Sequence, residues 1–279
     1  MPALAESYAF CRSVARKRAK NFYYSFVLLP REQSDAMCAI YAFMRYCDDL
    51  SDEPGATRAA IERWRAEMEE ALEGRFSSHP VWPAFHHTVR RFGIPHQYFR
   101  EMVDGVLSDL EPRRFETFDE LYRYCFQVAS VVGLCTIHVF GFDSPDAVIL
   151  AEKCGIAFQL TNILRDVAED AARERVYLPA EDLRRFSVDP RAFRNGLPGG
   201  AVRSLLAFEA ERARAYYRES QPLVGMIHQR SRPALRALIG IYSHLLTRIS
   251  EKEFDVFTER VALSTAEKCW IVLRAWMGG

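Results

Sequence analysis

The sequence predicts an all-α protein, on three observations. Apolar residues recur at helical spacing almost throughout, alternating strand-like runs are scarce, and prolines stand where helices would start. The periodicity predicts helices over residues 3–19, 33–51, 57–73, 81–92, 95–109, 117–140, 145–171, 200–226, 231–252 and 264–276. In "LLPRE" and "GIPHQ" a proline sits just ahead of a helix. In "DSPDAV" Ser144 is placed as the cap and Pro145 as the first helical residue, whose missing N–H has no intrahelical partner to lose. "FSVDPRAFRNGLPGG", rich in Pro, Gly and Asn, is the main loop. It lies inside the helical series and no composition shift marks a boundary, so residues 1–279 are expected to form one domain.

With 279 residues, 49% of them hydrophobic, the chain is long enough to bury a large core. Its formal charge of +0 excludes the broad basic footprint of a general nucleic-acid binder, and no nucleic-acid partner is expected. The 7 cysteines form no CxxC pair and no zinc-type spacing with histidine, which fits a reducing, cytoplasmic location. "MPALAESYAF" lacks the charged and apolar regions of a secretory signal. "VASVVGLCTIHVFGF" is too short to span a membrane and is expected to be a core helix.

The chemistry is concentrated in two acidic stripes. In "CAIYAFMRYCDDLSDE" the residues Tyr41, Arg45, Asp48 and Asp52 are spaced i, i+4, i+7, i+11 and share one narrow helical face, while Met37, Ile40, Phe43 and Met44 make the remainder apolar. In "FQLTNILRDVAEDAARERVYLP" the residues Gln159, Asn162, Asp166 and Asp170 repeat the pattern, with Phe158, Leu160, Ile163 and Val167 off the stripe. Carboxylates one turn apart repel by roughly 3 kcal/mol at an effective dielectric of 20. A structural helix does not need that cost twice, and a cation relieves it. Oxygen-only ligands suit Mg²⁺, or Mn²⁺, whose shells are completed by water and phosphate oxygens. A di-iron helical site would need Glu-x-x-His pairs, and the chain has none. The competing reading of either stripe alone is solvated charge at a helix end. The adjacent His86 and His87 point to different faces and are assigned structural roles.

Basic residues flank both stripes. "ARKRAKN" precedes "FYYSFVLLP", and "RERVYLP" follows the second stripe, so each is placed to clamp an anion if the chain converges on one cavity. Otherwise Arg16 to Lys20 form a solvated face, and Arg173 and Arg175 stabilise a helix C-terminus.

Taken in order, "KNFYYSFVLLP", "AIYAFMRYCDDLSDE", "YCFQVASVVG", "FQLTNILRDVAED", "RVYLP", "IYSHLLTRI" and "DVFTERV" resemble the squalene and phytoene synthase family of head-to-head prenyl transferases, over nearly the whole chain. The resemblance implies the isoprenoid-synthase all-α fold, with two acidic helices facing each other across a deep apolar cavity and holding Mg²⁺ against diphosphates. It assigns metal binding to Asp48 and Asp52 in the first motif and to Asn162, Asp166 and Asp170 in the second. It assigns substrate contacts to Lys17, Arg18, Lys20, Asn21, Arg45, Gln159, Arg165, Tyr242 and Arg260, and makes Tyr124 a cavity tyrosine near the reacting carbons. Phe22, Phe26 and Tyr41 would shield a carbocation from water.

The chain also departs from the family. Ala19 and Asn21 stand where serines are often found. Gln127 stands where reductive squalene synthases carry a tyrosine, so NADPH is not expected, and "VAS" is similar to bacterial presqualene diphosphate synthases. Phe26 occupies the position of a bulky plug in relatives that make C30 products, whereas Cys38 replaces a frequent tryptophan. The expected function is Mg²⁺-dependent condensation of two farnesyl diphosphates to presqualene diphosphate. The alternatives are a phytoene synthase using two geranylgeranyl diphosphates, an enzyme that also carries out the second step, and an assembly homologue without chemistry. The greasy product implies transient contact with a membrane surface, which would make the protein peripheral, and hand-over to downstream isoprenoid enzymes.

Overall fold

Pro30, Pro95 and Pro179 each stand immediately before a helix, where their fixed backbone suits the first turn. The computed structural model describes residues 3–19, 22–52, 56–110, 114–194 and 199–278, with Asp52 in its backbone only. The chain begins with α1 (Leu4–Arg18), α2 (Tyr23–Phe26), α3 (Arg31–Asp52), α4 (Arg58–Leu72), α5 (Trp82–Phe92) and α6 (His96–Ser108). It continues through α7 (Phe118–Cys125), a π-helical segment (Phe126–Ser130), α8 (Val131–Phe140), α9 (Asp146–Ala172) and α10 (Ala180–Arg185). It ends with α11 (Gly200–Ser220), α12 (Leu223–Met226), α13 (Arg232–Glu251) and α14 (Thr265–Met277). The all-α expectation is met, and among the described residues the one β-bridge, Phe142 with Ile227, is isolated.

Three corrections have local causes. The helix expected over 117–140 is interrupted by the π segment, where one extra residue is accommodated against the neighbouring helices. The helix expected over 200–226 stops at Ser220, because Pro222 has no N–H to carry the hydrogen-bond ladder onward and instead precedes α12. The short α2 and α10 are too brief to show a period. Thr57 Oγ1 accepts from the Ala60 N–H at 3.2 Å and caps α4. α9 starts one residue later than expected, with Pro145 as its cap and Asp146 as its first residue, while Ser144 Oγ accepts from the Asp146 N–H at 3.2 Å. Gly93, at φ 59°, closes α5 in the left-handed conformation that glycine adopts without strain.

The core is two apolar clusters that meet along α9 and α13. Ala147, Ala151 and Cys154 of α9 and Leu235 and Leu238 of α13 belong to the first, with α1 and α3 to α6. Ile156, Leu160 and Ile163 of α9 and Ile241, Tyr242 and Leu245 of α13 belong to the second, with α7, α10 and α11. Phe22 and Phe158 pack against both. Phe118–Phe140 and Asp146–Ala172 are long and apolar enough to cross a membrane, but 56% of the most apolar stretch of each is buried within the protein, as in core helices.

Within the second cluster the guanidinium of Arg212 donates to Asp182 at 2.8 Å and to Glu209 at 2.7 Å, and lies 4.1 Å over the Phe118 ring. Glu209 is 1% exposed, and burial, outweighing the attraction of Arg212, pushes its carboxyl up to about 7. The folded state therefore holds this proton more tightly than the unfolded state. The group's contribution to stability is fullest below about pH 4.5 and is lost as pH rises to 7. Thermal unfolding of wild type and Glu209→Gln across pH 4.5 to 7.5 should show the wild type losing ground to the variant as pH rises. Parallel curves would refute that assignment.

Candidate active site

The junction of the two clusters is hollow. A cavity of about 510 Å³ opens there, floored by Met37, Ile40 and Met44 of α3, Ala151, Cys154 and Gly155 of α9, and Leu235 and Leu238 of α13. Both polar stripes reach it. Tyr41, Arg45 and Asp48 come from α3, and Gln159 and Asn162 from α9, so segments more than 100 residues apart in sequence line one cavity. Arg18, Arg165, Arg260 and Lys268 also line it, giving, among the described residues, five basic side chains with Arg45 against one lining carboxylate, Asp48. An apolar hollow with a cationic rim accepts an anionic head on a greasy tail.

The arginines are held in place by carboxylates beside them. Asp49, 8% exposed, accepts from Arg45 and from Arg18, the second contact to Arg18 being 3.2 Å. This ties the end of α1 to α3. Arg165 Nε donates to Asp166 Oδ1 at 2.8 Å. Arg260, reaching in from the segment between α13 and α14, donates to Asp166 at 3.0 Å and pairs with Glu169 at 3.3 Å. Aromatic rings line the wall below: Phe158 stacks on Tyr242 at 4.3 Å and 8°, and Phe22 lies 5.6 Å from Tyr242 and 6.5 Å from Tyr41. Burial raises the Tyr41 hydroxyl to about 12, so it stays protonated and neutral.

Two observations fit a divalent cation between the stripes. Asn162 Oδ1 is buried and accepts no hydrogen bond among the described residues. The Asp170 carboxyl is pushed up to about 7, first by burial and then by the charge of Asp166. A cation would satisfy the first and relieve the second. Among the described residues no three His, Cys, Asp or Glu side chains group closely enough to hold an ion alone, so water and diphosphate oxygens would complete its shell. On the anion side, Arg45 Nε is a buried donor that likewise has no partner among the described residues.

The remaining expected residues are placed as follows. Phe22, Phe26 and Tyr242 line the cavity. Asp166 and Asp170 stand further along α9 than the lining Asn162, and Asp166 faces the arginines. Lys17 is exposed and does not line the cavity. Lys20, Asn21 and the side chain of Asp52 lie outside the described residues.

Tyr124 is not where the resemblance put it. It is 4% exposed behind the cavity, donates to Asp109 Oδ2 at 3.2 Å and stacks on Tyr177 at 5.3 Å. Cys38 is buried behind the wall without lining it. Sequence reasoning missed Asp49, whose i, i+4 spacing from Arg45 was the available signal. It also missed Phe158, Lys268 and the Val261–Leu263 segment, which carry no local signal because only the tertiary fold brings them to the cavity. Arg175 donates to the Asp109 carbonyl at 3.3 Å and Arg173 pairs with Glu169 at 3.5 Å, so neither lines the cavity.

Comparison with known proteins agrees with this geometry. The squalene/phytoene synthase family matches residues 15–267. The phytoene synthase of Arthrospira platensis is 36% identical over 95% of this chain and 90% of its own length. The 15-cis-phytoene synthase of Synechocystis sp. is 35% identical over 99% of this chain and 86% of its own. Among solved structures, a dehydrosqualene synthase crystallised with a ligand superposes with a TM-score of 0.93 at 30% identity, covering 99% of this chain and 97% of the other. A squalene synthase from Alicyclobacillus acidocaldarius superposes at 0.84 with 26% identity, covering 90% and 96%. The chain belongs to the squalene/phytoene synthase family, prenyltransferases that join two prenyl diphosphates head to head.

Proposed function

We propose that the protein is of the phytoene-synthase type and joins two C20 prenyl diphosphates. This revises the farnesyl-based expectation above. The observation that carries it is the set of phytoene synthases, 34 to 36% identical over at least 95% of the chain. The small side chains of Ala129 and Ala151 in the cavity lining suit a long chain. The C30 reading keeps one specific support, Phe26 in the wall together with the 0.93 superposition on a dehydrosqualene synthase.

In this reading Arg18, Arg45, Arg165 and Arg260 bind diphosphate oxygens, and Gln159 and Tyr242 help orient the bound heads. Asp48 and Asp52 on α3 and Asn162, Asp166 and Asp170 on α9 would hold Mg²⁺, which supplies the Lewis acidity that lets diphosphate depart. Tyr41, Phe22 and Phe158 present ring faces to the allylic cation and keep water from it. The double bond of the second substrate, lying along the apolar floor, attacks that cation, and loss of a proton from the joining carbon closes the ring of a cyclopropyl diphosphate; departure of the second diphosphate, rearrangement and a second proton loss then give the C40 hydrocarbon. Each diphosphate leaves with one proton lost from the joined chains, so the sequence is redox-neutral and the reading needs no NADPH.

The test is product identification after incubation with Mg²⁺ and either geranylgeranyl or farnesyl diphosphate, with and without NADPH. The expected result is a C40 hydrocarbon, unchanged by NADPH, with kcat/KM for the C15 substrate lower by about tenfold or more. Exclusive C30 product would overturn the substrate assignment, and hydrocarbon formed only with NADPH would overturn the non-reductive one.

A further inference from the structure

Seven large apolar side chains stand exposed among the described residues, and four of them are on α14: Trp270 at 60%, Leu273 at 44%, Trp276 at 64% and Met277 at 58%. At about 100° per residue, Ala266, Trp270, Leu273 and Met277 share one face, with Cys269 and Trp276 at its edge. This is not a frayed end. Ser264 and Glu267 form a capping box at its start, the Glu267 carboxylate also accepts from Arg248, and Ile271 seats where a side chain on Gly240 of α13 would stand. A fifth exposed residue, Val27 at 61%, follows α2, which packs against α14.

The charges around this face are one-sided. Glu267 is the only acidic residue of α14 and is engaged as described, whereas Arg274 is exposed and has no carboxylate partner among the described residues. We propose that the apolar face of α14, with Val27, seats on the surface of an anionic lipid bilayer. Tryptophans belong at the headgroup boundary, and a basic flank adds attraction to acidic headgroups. At 13 residues the helix is about 20 Å long, so it lies in the interface and does not span it. A second copy of the chain fits less well, because a two-fold contact through this face would bring its uncompensated arginines together.

The location serves the reaction. Val261, Ala262 and Leu263, which lead into α14, line the cavity, as does Lys268. The hollow therefore opens within a turn or two of the lipid, where a hydrocarbon product can leave without crossing water. That benefit rests on the proposed function, but the contact itself does not.

The test is co-sedimentation of the full chain with vesicles of phosphatidylcholine alone or mixed with phosphatidylglycerol, comparing wild type, the W270S/W276S double variant and Arg274→Glu. Wild type should bind the mixed vesicles. The double variant should lose about tenfold or more of that binding, and Arg274→Glu should lose the preference for anionic lipid. Of the 4 tryptophans only Trp270 and Trp276 are exposed, so a blue shift of wild-type fluorescence on adding mixed vesicles tests the contact without any variant. Melting temperature and turnover in detergent report whether the variants fold. Wild type failing to bind either vesicle, a double variant that binds like wild type, or a dimer that the double variant dissociates without vesicle binding would each overturn the proposal. Because binding is read without substrate, an error in chain-length assignment leaves this outcome untouched.

Discussion

Replacing Asp166 by asparagine should lower kcat/KM by about a hundredfold or more, the scale on which enzymes lose rate when one preorganised charge is removed from the reacting centre. Asp166 accepts from both Arg165 and Arg260, so one substitution frees two cations and deletes a proposed metal ligand. The two losses are separable. If metal binding dominates, raising Mg²⁺ restores part of the rate and the Mg²⁺-dependent rise in melting temperature shrinks. If arginine positioning dominates, KM for the diphosphate rises at all Mg²⁺ concentrations. Kinetics within threefold of wild type would remove α9 from the chemistry.

The largest effect on stability should come from Gly155→Ala. A Cβ at residue 155 would lie 2.5 Å from Ser130 Cα and 2.8 Å from its backbone nitrogen. Neither is a flexible tip. Backbone must move, and it is the backbone of the π segment against α9, in the cavity wall. Overpacking of this kind costs about 3 kcal/mol, which lowers the melting temperature by roughly 6 to 12 °C in a chain of this size. Gly133→Ala, whose Cβ would stand 3.1 Å from the Ala151 carbonyl oxygen, is the milder control. Equal melting temperatures for wild type and Gly155→Ala would mean that the two helices are free to separate.

Most helices were legible because each repeats an apolar stripe over several turns against polar neighbours. The acidic stripes were legible for the same reason, since i, i+4, i+7 spacing already places Tyr41, Arg45 and Asp48 on one face, and they do line the cavity together. What the sequence could not reveal depends on distant partners. Arg260 meets Asp166 across 94 positions, and Arg18 meets Asp49 across 31. Tyr124 reads equally well as a cavity residue or a core residue, and only its place in the fold, off the cavity lining and against Asp109 and Tyr177, decides it. Phe158 lies off the polar stripe, yet a cavity that binds a prenyl chain needs its apolar flank as much as its polar one.

The π segment at Phe126–Ser130 has a consequence for how this chain tolerates length changes. A π turn holds one more residue than an α turn, so α7 and α8 are out of angular step by about 100°. That offset lets Leu121, Tyr124 and Cys125 bury on one cluster while Val131, Leu134 and Cys135 bury on the other. Deleting a single residue there would straighten the rod and rotate one half's apolar side out of its socket. A deletion in the exposed approach to a helix shifts only the loop, whereas here it would uncouple the two halves of the interior.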